Sequence, residues 1–138
     1  MKILSKTALL SLIAGAILLL GCSAVPHEEA GQYKTETNYK IGAKMATNFG
    51  APMIVKRRVY IYQNRAYPKD IEEILYSGLS GKTIKFMYRE LYRTGYPSKF
   101  TQDLTYDLSK SDVVVFRNYN IKVIDANNTQ IIFQVLKD

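Results

Sequence analysis

Two different hydrophobic patterns divide this chain. From Thr7 to Leu20 the residues form one nearly unbroken apolar run, preceded by Lys2 and Lys6. As a helix it would span roughly 21 Å, short of the about 30 Å hydrocarbon core of a bilayer. The run therefore has the length of a signal h-region rather than of a membrane span. Residues 23 to 40 are polar and without periodicity, which predicts a flexible tether. From Ile41 onward the apolar residues return in short runs rich in Tyr, Ile and Val. These predict strands at 57–63, 73–77, 83–92, 101–108, 113–117, 119–125 and 129–136. The turn signals between them are Tyr67-Pro68, Gly78 to Gly81, Tyr96-Pro97-Ser98 and Asn127-Asn128. The clearest strand is Phe100 to Leu108, whose even-numbered residues are mostly apolar and whose odd-numbered residues are polar. One segment is ambiguous. Ile71, Ile74 and Leu75 have helical spacing between Pro68 and Gly78, so a short helix at 69–76 competes with a strand.

Regularly spaced strands without long helical patterns predict a mainly β fold, a small antiparallel sandwich or a partly open barrel. Within it, residues 119–135 read as a hairpin. A three-residue loop, Ala126-Asn127-Asn128, sets Val123 opposite Ile131 and Ile121 opposite Phe133, giving one coherent apolar face. It also predicts a left-handed Asn128. The expected organisation is a cleaved segment 1–21, a tether 22–40 and a single domain 41–138.

The junction after the apolar run is Leu19-Leu20-Gly21-Cys22-Ser23. It resembles the lipobox of bacterial lipoproteins. That resemblance implies cleavage before Cys22, a diacylglyceryl thioether on its sulfur and an added N-acyl chain such as palmitate. Several acyl chains hold a protein on a membrane where one binds only marginally. Cys22 is the single cysteine of the 138 residues. Acylation would account for it, and the folded body has no internal disulfide. By the familiar sorting rule Ser23, not being Asp, implies the outer membrane, facing the periplasm, if the bacterium has two membranes.

Charge adds a partner class. The formal net charge is +7, and losing Lys2 and Lys6 with the signal leaves +5. A basic mature chain favours anionic lipid heads or acidic glycans. Nucleic acid is not expected of an exported protein.

Most catalytic constellations are missing or misplaced. The only histidine, His27, falls in the tether, so a Ser-His-Asp or Cys-His arrangement lacks its base. Asp103 and Asp107 share a strand face, but four residues of strand separate them by roughly 14 Å. Glycosidase carboxylates stand about 5 to 9.5 Å apart. Gly81-Lys82-Thr83 imitates a phosphate loop, yet Tyr76 holds the position of its first glycine and a strand follows. The segment from Asp125 fails as a calcium loop, with Gln130 and Leu136 at the positions needing Gly and Glu. Asp125-Ala126-Asn127-Asn128-Thr129 also matches a bacterial N-glycosylation acceptor at Asn127, although a turn explains the same residues. No cofactor and no metal site is expected, and the domain reads as non-catalytic. A ligand or partner surface is expected where tyrosines and arginines interleave, at Tyr88, Arg89, Tyr92 and Arg93.

The stretches Tyr76 to Ile84, Tyr88-Arg89-Glu90 and Phe100 to Leu108 are similar to a group of small, largely uncharacterised proteobacterial envelope proteins. The resemblance spans the last 65 residues or so. It implies a β-rich domain and no known reaction. The expected role is a membrane-anchored structural or accessory component of an envelope assembly, contacting an envelope protein. The alternative is a binding module for glycan or anionic lipid.

Overall fold

The computed structural model describes residues 31–92 and 97–138; the apolar run, Cys22, Ser23, His27 and Arg93 lie outside them. The strands, in chain order, are β1 (Gln32–Thr37), β2 (Lys44–Asn48), β3 (Pro52–Tyr62), β4 (Arg65–Ser80), β5 (Thr83–Leu91), β6 (Ser98–Asp107), β7 (Val113–Phe116), β8 (Tyr119–Ala126) and β9 (Gln130–Lys137). They form two antiparallel sheets, a larger one ordered β1-β3-β4-β5-β6 and a smaller one ordered β2-β9-β8-β7. The sheets do not close into a barrel. The fold is all β, a small sandwich.

The core lies between the sheets. Ile54, Ile74, Phe86 and Tyr88 of the larger sheet face Ile121, Val123, Ile131 and Phe133 of the smaller one, all buried. Period-two alternation on β5, β8 and β9 puts these side chains on one face. On β6 the alternation holds for Leu104, buried, and Tyr106, half-buried, while Phe100 and Gln102 lie in the open.

Residues 69–76 are strand, not helix. Their helical spacing has a different cause. β4 is the central strand of the larger sheet, with Ile74 and Tyr76 on its inner face and Ile71 and Leu75 on its outer face, all buried. A strand covered on both sides loses the alternation that would identify it. Ile71 joins Val55 and Leu91 in a small second cluster.

Two turn signals are reassigned. Tyr67-Pro68 lies inside β4, where Pro68 pairs with Val59 of β3. β5 ends at Leu91, opposite Ile71, so Pro68 sits beyond the reach of that neighbour, a position a proline tolerates. The turn is Gln63-Asn64, both at positive φ (47° and 59°), as a two-residue hairpin of type I′ requires. Gly78 likewise belongs to a β-bulge of β4, with φ 102°, and the turn that follows is Gly81-Lys82.

The β8–β9 hairpin keeps its expected apolar face but not its register. Val123 pairs with Phe133 and Ile121 with Val135, and a bulge at Ile124 shifts the pairs nearer the loop. The loop is tied by Asn127 instead of by a left-handed Asn128. Asn127 Oδ1 accepts hydrogen bonds from the Thr129 amide, the Thr129 hydroxyl and the Gln130 amide.

Two strands have no counterpart in the sequence reading. β2 is short, and β1 falls in the expected tether. Each residue of β1 is exposed, so its Gln-Tyr-Lys-Thr-Glu-Thr sequence carries no hydrophobic signature. Its place comes from pairing with β3 along the sheet edge. The ordered domain therefore begins earlier than residue 41.

Candidate functional site

The larger sheet is longer than the smaller one, and its inner face continues past the sandwich core. Strand register makes the continuation a series of cross-strand rows. The last core row is Ile54, Ile74 and Tyr88. Next comes Thr37, Lys56, Glu72, Glu90 and Phe100, crossing all five strands. Then come Thr35, Arg58 and Asp70, and last Tyr33, Tyr60 and Tyr67. Directly opposed residues share a face, so the rows face the same way as the core. They grade from apolar, through charged, to aromatic.

A cavity of about 290 Å³ opens over the charged rows, lined chiefly by Lys56, Arg58, Asp70, Glu72, Glu90 and Lys99. Three cations and three carboxylates balance there. The carboxylates are held by partners. Asp70 pairs with Arg58. Glu72 accepts a 3.1 Å hydrogen bond from the Tyr119 hydroxyl. Glu90 accepts from the Tyr88 hydroxyl at 2.8 Å and from Arg117 Nη1 at 2.7 Å. Nearby, Asp138 accepts from the Tyr39 hydroxyl at 2.6 Å and from Lys56 at 3.2 Å.

These bonds set the ionisation. The hydrogen bonds from Tyr88 and Arg117 hold the Glu90 carboxyl below its usual range. The Tyr39 hydroxyl, and then Lys56, do the same for Asp138. Burial pushes the phenols of Tyr39, Tyr88 and Tyr119 well above theirs, and the neighbouring carboxylates push in the same direction. Burial works most strongly against the charged Arg117, but the bond to Glu90 and the attraction of Tyr88, Glu90 and Glu72 together outweigh it, and the guanidinium ends above its ordinary value. A general acid of the glycosidase type needs a raised carboxyl pKa, and the carboxyl groups shifted here move down. Asp103 and Asp107 lie exposed on the opposite face of β6, away from this cavity. Among the described residues no three His, Cys, Asp or Glu side chains are grouped to hold a metal ion.

The expected Tyr/Arg surface is only partly assembled. Tyr88 is a core residue with no exposed surface. Arg89 follows it on β5 and therefore points to the opposite face, where it pairs with Glu73. Tyr92 is exposed, with Lys99 Nζ 5.2 Å from its ring centre. Burial of Tyr88 excludes it from any ligand surface, because it sits in the central apolar layer.

The tyrosine-rich surface is elsewhere. Tyr33 and Tyr60 have ring centres 5.1 Å apart, and Tyr60 and Tyr62 stack at 6.4 Å with planes 3° apart. Arg58 lies 5.2 Å from the Tyr33 ring centre and Lys69 lies 6.0 Å from that of Tyr60. A signal for part of this was present in the sequence. A two-residue turn at Gln63-Asn64 places Tyr60 opposite Tyr67 by counting alone. Nothing in the sequence adds Tyr33, whose pairing with Tyr60 depends on β1.

Comparison with family models, with curated proteins and with solved structures finds no match to this chain.

Proposed function

We propose that the chain is a membrane-anchored envelope lipoprotein, held by lipid on Cys22, that serves as a non-catalytic accessory component of an envelope assembly. The observation that carries this reading is the inner face of the larger sheet beyond the core. It offers a charged cavity and an aromatic margin for contact, while its carboxylates are held in ion pairs and hydrogen bonds. Such an arrangement favours holding a partner over transforming one. Ser23 supports the outer membrane, facing the periplasm, as its place. A second reading, a binding module for glycan or anionic lipid, is favoured by one observation, the row of Tyr33, Tyr60 and Tyr67 beside Arg58.

The test has two arms. Wild-type protein from its own envelope should show an acylated N-terminal Cys22 by intact mass, and Cys22→Ser should leave the membrane fraction or remain uncleaved. Partner recovery from envelope extracts should fall when Arg58→Glu and Lys99→Glu reverse charge at the cavity. Reproducible turnover of peptidoglycan or ester substrates, abolished by Asp103→Asn, would overturn the non-catalytic reading.

A further inference from the structure

We infer that the tyrosine row and the β3–β4 hairpin tip dock on the anionic phospholipid surface of the membrane that carries the Cys22 lipid. The inference rests on the anchor reading above. Its first support is where the chain enters the domain. β1 begins at Gln32, beside the tip, with Gln32 paired to Ile61 and Tyr33 to Tyr60. Gly31 packs against the ring of Tyr60 so closely that a Cβ there would meet Tyr60 Cζ at 2.4 Å. Nine residues separate Cys22 from Gln32, a span of ten Cα steps. Even fully extended they reach at most about 36 Å. The opposite end of β4 lies roughly 43 Å of strand beyond Tyr67. A lipid on Cys22 therefore leaves the tip within reach of the bilayer and disfavours an orientation with the far end against it.

The second support is chemistry. Tyr33 is 61% exposed and Tyr67 43%. Phenols with an apolar ring and a polar tip settle at the membrane interface. Around them stand Arg58, Arg65 and Lys69. Asp70 neutralises Arg58, whereas among the described residues Arg65 and Lys69 form no ion pair. Arg65 lies opposite Tyr62, on the same face as the tyrosines. Basic side chains at such a margin are drawn to anionic headgroups, an attraction that salt screens. A neutral sugar would gain from the rings but not from these two cations, so anionic lipid fits the whole tip better.

The experiment uses the mature chain, residues 22–138, with Cys22→Ser so that no acyl chain contributes. Sedimentation with vesicles should show binding to phosphatidylcholine containing phosphatidylglycerol, little binding to phosphatidylcholine alone, and weakening as salt rises. Arg65→Glu with Lys69→Glu should reduce binding about tenfold or more, since each basic residue near an anionic surface is worth roughly fivefold. The chain contains no tryptophan. A Tyr67→Trp variant should therefore report a blue shift and quenching by brominated lipid. Circular dichroism checks that each variant keeps its fold, and Tyr67→Ser tests the ring without changing charge. Equal binding to both vesicle types, or vesicle binding without quenching at position 67, would overturn the inference. So would binding of soluble peptidoglycan fragments that Tyr67→Ser abolishes while vesicles are ignored. Failure of the anchor reading looks different: vesicle binding persists, but Cys22 from native envelopes carries no lipid.

Discussion

Arg117 is held in a backbone conformation that few residues choose. It occupies the two-residue turn between Phe116 and Tyr119, which pair across β7 and β8, and its φ is +50°. The left-handed region costs a residue with a Cβ about 1–2 kcal/mol. The side chain offsets that cost. Arg117 Nη1 donates to Glu90 Oε1 and to the Tyr88 hydroxyl, both at 2.7 Å, and the guanidinium lies 4.3 Å from the Tyr88 ring centre. The Arg117 side chain is 43% exposed, so its ion pair is worth only about 0.5–1 kcal/mol after solvent screening. Stacking on the ring adds about 0.5–1 kcal/mol. Arg117→Ala keeps the strained turn and loses the contacts, so it should destabilise by about 1–2 kcal/mol. Arg117→Gly loses the same contacts but relieves the turn. After allowing for the greater freedom of glycine in the unfolded chain it should exceed the alanine variant by about 1 kcal/mol. Urea titrations followed by circular dichroism measure both, compared at equal m. Glycine no better than alanine would show that the turn stores no strain. Both variants as stable as wild type would show that the contact to Glu90 does not hold the sheets together.

The Gln63-Asn64 turn has positive φ at both positions, and Asn64→Gly should stabilise the domain by about 0.5–1 kcal/mol; an unchanged urea midpoint would contradict the turn assignment. Gly78 is buried in the β4 bulge at φ 102°, where an added Cβ would meet the Phe49 ring at 3.4 Å. Gly78→Ala should therefore lower stability by about 1–2 kcal/mol, read as a fall in Tm. At high pH, burial keeps Tyr39, Tyr88 and Tyr119 protonated in the fold while the unfolded phenols ionise near the ordinary value. Their contribution is complete below about pH 10 and is lost as pH rises above it, by at most about 1.4 kcal/mol per pH unit for each phenol. The domain should thus unfold cooperatively in alkali with a burst of phenolate absorbance; smooth titration of every tyrosine with circular dichroism unchanged would refute the burial of these phenols.

Much of the fold could be read from the chain because burial on one face leaves a period of two. β5, β8 and β9 place Ile84, Phe86, Ile121, Val123, Phe133 and Val135 on the core side with Lys85, Lys122 and Gln134 between them, and the sequence alone marks each as strand. Where burial is two-sided, as at Ile71 and Ile74, or absent, as along Gln32–Thr37, no such period exists and local reading fails. The site was less legible still. Tyr88 and Arg89 are neighbours in sequence, but a pleated strand sends them to opposite faces, one into the core and the other to Glu73. Tyr33, Tyr60 and Tyr67 are distant in sequence, yet edge pairing of β1 and the Gln63-Asn64 turn set them side by side. The apolar run from Thr7 to Leu20, the solitary Cys22, the basic charge and the mainly β character are properties of local sequence. That Tyr33 joins Tyr60 and Tyr67 on one surface follows only from strand pairing, because hydrogen-bond register between distant strands is fixed by partners that no local pattern names.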